Sequence, residues 1–166
     1  MEAISPTSFA MNDAQVVDTS VSPRDYKAAG VVPFNDDGFW LARTSSGYAD
    51  FGGKRGSSDE TAWATARREM REKGGVTLDR CTLMLFHEES VSKAAIFLCQ
   101  TQAAPVPKEA RFITWKDFIE RGGFPIEPLH PRLKYDKGRR IQNGIMNLAR
   151  SKCAFFPGLP MAAARG

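Results

Sequence analysis

The chain has 166 residues, 42% of them hydrophobic and 25% charged, with a net charge of +4; that is the make-up of one globular domain long enough to bury a core. No apolar run approaches the roughly 18 residues that cross a bilayer, and "MEAISPTSFAMNDAQ" has neither the basic and apolar regions of a secretory signal nor the early arginine of a transit peptide. Cys81, Cys99 and Cys153 are odd in number and lack ligand spacing, so the expectation is buried free thiols in a soluble cytoplasmic protein without membrane contact.

In chain order, residues 1–24 lack sustained periodicity and read as a flexible arm. "YKAAGVVPF" is a strand, "NDDG" a tight turn and "FWLAR" a return strand. "YADF" is a short extended piece that leads into a glycine loop, "GGKRG". After a central helix, "CTLMLFHEE" and "KAAIFLCQTQ" are strands, "ARFITW" a short strand and "KDFIERGG" a short helix closed by glycine. "FPIEPLHP" is too rich in proline for regular structure. "KGRRIQNGIMNLARSK" reads as a helix with Ile141, Ile145 and Leu148 on one face. The domain is expected over 25–152, with 153–166 a tail. Strands on both sides of one strong helix, with further helices late, predict an α/β sandwich around a mixed sheet.

The central helix carries the chemistry. Ser57, three residues before Glu60, forms a capping box that predicts a helix start near Ser58. Ala62, Trp63, Ala66 and Met70 share one side, which packs on the sheet. Glu69 and Glu72 lie beside that stripe, about 60° apart around the axis. The glycines before the helix let backbone approach a ligand, and two adjacent carboxylates suit a hard ion such as Mg²⁺. The plainer alternative is a solvated pair, because Glu69 and Lys73 stand four apart in the favourable order.

The segment "GGKRGSSDETAWATARREMREKGGV" resembles the Nudix box of the Nudix hydrolase superfamily. Gly53 opens the pattern and Glu60 supplies its first acid, with one extra residue between them. The register then holds through Arg68, Glu69, Met70, Glu72, Gly75 and Val76, with Lys73 standing where the family has an acid. The resemblance implies a Nudix-like α/β/α sandwich around a mixed sheet. It also implies hydrolysis, assisted by Mg²⁺ or Mn²⁺, of a phosphoanhydride in a nucleoside-diphosphate derivative. By that implication Gly53 offers a carbonyl to the metal, Glu69 and Glu72 bind metal or activate water, Arg68 holds the acidic cluster, and Glu60 is structural. A loop acid completes many such sites; Glu109 is the candidate, with Glu88 and Glu89 behind it.

Lys54, Arg55 and Lys73 are candidate phosphate contacts. Lys73 also opens an alternative: a catalytically degenerate Nudix-fold module that binds nucleotide or RNA, or scaffolds a protein partner. Residues 132–152 hold seven basic side chains against the single Asp136, which suits a polyphosphate or an RNA end as well as a solvated helix face. Phe34, Phe39, Trp40 and Tyr48 could stack on a base or fill the core. His130 receives no role.

Overall fold

In the computed structural model, residues 26–59, 61–78, 83–88 and 93–153 are described. The expected arm, Glu60, Cys81, Glu89 and the tail beyond Cys153 lie outside those residues, as does the side chain of Glu88. Strand β1 (Ala28–Phe34) turns at Asn35, whose side-chain oxygen accepts from the Asp37 and Gly38 amides at 2.8 and 3.0 Å, and returns as β2 (Gly38–Ala42). β3 (Phe51–Lys54) lies antiparallel to β1, with Gly30 opposite Gly52 and Ala29 opposite Gly53. Helix α1 (Ala62–Glu69) runs into a π turn over Met70–Gly74. β4 (Leu83–Glu88) and β5 (Lys93–Gln100) pair antiparallel, and β5 runs parallel to β1 along its whole length. β6 (Ala110–Thr114) pairs β2 and leads directly into α2 (Trp115–Arg121); α3 (Tyr135–Cys153) follows. The sheet order is β4-β5-β1-β2-β6, with β3 against β1.

Alternation along the strands feeds two cores. Ala29, Val31, Phe51 and Phe97 pack with Ala62, Trp63, Ala66 and Met70 of the central helix, and the Trp63 and Phe97 rings lie 5.1 Å apart. Val32, Phe34, Phe39, Leu41, Ile96 and Ile113 turn to the opposite face. There they meet Trp115 and Phe118 of α2 and Ile141, Ile145 and Leu148 of α3. Each of these α3 residues is at most 2% exposed, so this amphipathic face is seated on the sheet. The architecture is an α/β/α sandwich around a mixed sheet, as expected. Phe34 and Phe39 belong to its core and Tyr48 packs against it, while Trp40 lies 4.7 Å from the half-exposed Phe112 ring on the outer strand pair.

Three local features depart from the expectation. The glycines of "FGGK" form β3 rather than a loop, because two carboxylates need the space their missing side chains leave. A Cβ at Gly52 would lie 2.3 Å from Asp50 Oδ2, and one at Gly53 would lie 2.5 Å from Glu69 Cδ. Helix α1 begins at Ala62, not near Ser58. Its N-cap is Thr61, whose hydroxyl accepts from the Ala64 amide at 3.0 Å, while the preceding turn closes on Asp59, which accepts from the Gly56 amide at 2.7 Å. The helix also widens into the π turn where Gly74 passes the Met70 methyl; a Cβ there would lie 2.2 Å from it. Gly75, at φ +71°, then ends the helix in the left-handed region.

Candidate functional site

β3 and the end of α1 bring the box residues to one edge. The register of β3 decides which backbone groups they meet. The Arg55 amide donates to the Lys27 carbonyl at 2.9 Å, so Gly53, two residues earlier, turns its own polar groups toward β1. The carbonyls of Gly52 and Lys54 face away from β1, toward α1. Arg68 donates to the Lys54 carbonyl at 3.1 Å, and the Lys73 ammonium donates to the Gly52 carbonyl at 2.6 Å. Gly53 was expected to present its carbonyl to an ion. The structure offers the Gly52 carbonyl instead, and gives Gly53 the role of making room for Glu69.

Arg68 is the hub. Its guanidinium donates to both oxygens of Asp59, at 2.9 and 3.3 Å, and through Nη1 to Glu69 Oε2 and Glu72 Oε1, each at 3.1 Å. Planar, always charged and rich in donors, it holds three carboxylates that would otherwise repel one another. Asp59 is nearly buried and also accepts from the Thr65 hydroxyl at 2.8 Å. The Arg68 hydrogen bonds hold its carboxyl at about 2, well below the usual carboxylate range, and the same contacts raise the Arg68 pKa. Asp59 is not among the sequence candidates; its position two residues ahead of the N-cap Thr61 gives it no capping signature, and its role follows from the contact with Arg68.

Glu69 is shared. Its side chain is only 10% exposed, with Arg68 on Oε2 and the Lys73 ammonium 3.7 Å from Oε1. Glu72 is 55% exposed and is held by Arg68. Arg68, Glu69, Glu72 and Lys73 therefore converge with Gly52 and Gly53. Lys54 joins through its backbone, and Arg55 instead lies over the Tyr26 ring, 4.6 Å from its centroid. Glu109, itself exposed, ends the 3-10 turn Pro107–Glu109 in the loop whose Val106 amide donates to the Gly74 carbonyl at 3.0 Å.

These residues do not fit a Mg²⁺ or Mn²⁺ site as they stand. The two box carboxylates are engaged by a guanidinium, the carbonyl facing them is taken by an ammonium, and among the described residues no group of three His, Cys, Asp or Glu could hold a metal ion.

On the opposite face of β3, a second charged pair is buried. Asp50 lies over the Gly30–Gly52 backbone with its side chain fully covered, and Arg132 Nε approaches its Oδ1 at 3.1 Å without the alignment of a hydrogen bond. Beside it, His130 Nδ1 accepts from the Arg132 amide at 3.0 Å. Burial, helped by the Arg132 and Lys73 charges, pushes the His130 pKa down, so neutral imidazole is favoured. Of the basic segment, Arg132 is turned inward to the buried Asp50, whereas Lys152 forms a surface pair with the exposed Asp36 at 2.9 Å. Among the described residues, no helix is long and apolar enough to cross a membrane.

No family model matches the chain, and no curated protein matches it. Among solved structures, it is similar to a putative Nudix hydrolase family member from Chromobacterium violaceum, at 20% identity and a TM-score of 0.49, over 86% of this chain and 96% of that one. It is also similar to the NUDIX domain of Shewanella oneidensis NrtR complexed with ADP ribose, at 13% identity and a TM-score of 0.46, over 89% and 97%. A third likeness is to Ap4A hydrolase of C. elegans, at 18% identity and a TM-score of 0.45, over 81% and 99%. The chain is similar in fold to solved Nudix proteins.

Proposed function

We propose that this chain is a Nudix-fold module that binds the diphosphate of a nucleoside-diphosphate derivative at the β3–α1 edge, and that its hydrolytic site is degenerate. The observation that carries the reading is the state of Glu69 and Glu72: one Arg68 nitrogen holds both, and among the described residues no third acid joins them in a metal-holding group. The half-exposed Lys73 and the exposed Lys54 supply positive charge beside the acids. A phosphorylated ligand is expected to meet them as a binder, with no water activated by a bound ion.

The second reading, a divalent-metal-dependent pyrophosphohydrolase, draws support from the box register across Arg68, Glu69, Glu72 and Gly75. One experiment separates the two. The protein is incubated with ADP-ribose, dinucleoside polyphosphates, deoxynucleoside triphosphates and capped RNA, with Mg²⁺ or Mn²⁺, and both binding and product release are followed. Binding without turnover is the expected result. Metal-dependent release that vanishes in Glu72→Gln would establish the hydrolase instead.

A further inference from the structure

We infer that Lys73 is the cation of this site: its ammonium excludes a divalent ion and itself meets the phosphoryl oxygens of the ligand. The inference rests on the diphosphate-binding reading above and adds how the charge of that ligand is met. It starts from three contacts. Nζ lies 2.6 Å from the Gly52 carbonyl oxygen and 3.7 Å from Glu69 Oε1, and Glu69 is almost covered. A carbonyl turned out of its ladder and a carboxylate are hard oxygen donors, the partners a divalent ion selects. Here they surround a positive charge already attached to the chain.

The contrast with an ordinary helix pair is direct. Lys116 and Glu120 are also four residues apart, at 3.8 Å, but both side chains are more than half exposed and the contact is a solvated surface pair. Lys73 instead reaches across to a strand 21 positions earlier and donates a short, charge-assisted bond to its backbone carbonyl. An ammonium has three donors. The Gly52 carbonyl takes one, Glu69 stands at ion-pair distance, and the side chain is 45% exposed, so a donor is open to a ligand. A divalent ion at the same oxygens would stand against this charge while both box carboxylates, Glu69 and Glu72, are already engaged by Arg68. A phosphate oxygen would complete the ammonium's shell.

The test uses the full chain and its Lys73→Met and Lys73→Glu variants, each checked for a native melting transition. Free Mn²⁺ is read by its paramagnetic resonance signal, and inorganic pyrophosphate and ADP-ribose are titrated calorimetrically with EDTA or with Mn²⁺. The wild type should leave the Mn²⁺ signal undiminished and bind the phosphorylated probes equally well in EDTA. Lys73→Met should weaken that EDTA-resistant binding about tenfold or more, the scale of one charge-assisted bond. Lys73→Glu should capture Mn²⁺ and bind the probes only with it. The inference is overturned if the wild type captures Mn²⁺ as well as Lys73→Glu does, if it binds the probes only with Mn²⁺, or if Lys73→Met keeps full affinity in EDTA. Failure of every probe under every condition sinks the binding function itself, and the Mn²⁺ comparison between wild type and Lys73→Glu still decides whether Lys73 keeps the ion out. If Lys73→Glu does not fold, the wild-type and Lys73→Met titrations decide.

Discussion

At Arg68 one guanidinium serves Asp59, Glu69, Glu72 and a strand carbonyl, so the three acids are held in place by a single side chain. Asp59 is the anchor, its side chain being the most buried of the three and bound through both oxygens. Asp59→Asn should cost roughly 1–3 kcal/mol, because a buried charge-assisted bond is lost and Arg68 is left short of a partner; urea unfolding at neutral pH measures it. The pH dependence has a definite sign. The folded carboxyl titrates at about 2 against an ordinary 3.8, so its contribution is fully present above that ordinary value and is lost as pH falls through about 2. Unfolding curves from pH 5 to pH 2 should therefore show an acid-side loss in the wild type that is smaller in Asp59→Asn.

The elements explain which parts of the site a reader of the sequence can find. Helix α1 and its box register were legible because alanines and aromatics at helical spacing mark the buried stripe, leaving Arg68, Glu69, Glu72 and Lys73 on the remaining surface. β3 was not legible. Glycines have poor strand propensity and pattern as a loop, and their reason for being here is tertiary: Asp50 and Glu69 approach from opposite faces. The helix start was misread because Ser57 and Glu60 form a better local capping signal than Thr61, while the fold closes that turn on Asp59. Two substitutions test this account of the strand. In Gly53→Ala the atoms nearest the new Cβ all belong to the flexible end of Glu69, so it should change stability little while displacing that carboxylate and weakening pyrophosphate binding, read by calorimetry. Gly30→Ala meets Asp50 Oδ2 at 1.8 Å and the Gly52 backbone at 2.8 Å, neither of which can retreat freely. It should cost about 1–3 kcal/mol, the range for overpacked cores, in a urea titration.

Across the whole molecule, the buried Asp50–Arg132 pair joins the β3 end of the sheet to the 3-10 turn Pro131–Leu133 that precedes α3. No periodicity links residues so far apart, which is why this contact was invisible in the sequence and Arg132 was counted with a surface basic block. Removing one partner leaves the other charged and buried, so Arg132→Met should destabilise by about 3–5 kcal/mol. Adding Asp50→Asn should restore much of that loss, and a double-mutant cycle in denaturant measures the coupling. The same sheet carries the candidate site on its other side, where Gly52 is common to both charge clusters through its backbone.

The most direct measurement is a crystal structure of the wild-type protein grown with Mn²⁺, with anomalous differences collected at the manganese edge. The account predicts no manganese peak beside Glu69 and an ammonium of Lys73 bonded to the Gly52 carbonyl. A manganese ion bound by Glu69 and Glu72, with Lys73 swung into solvent, would contradict it.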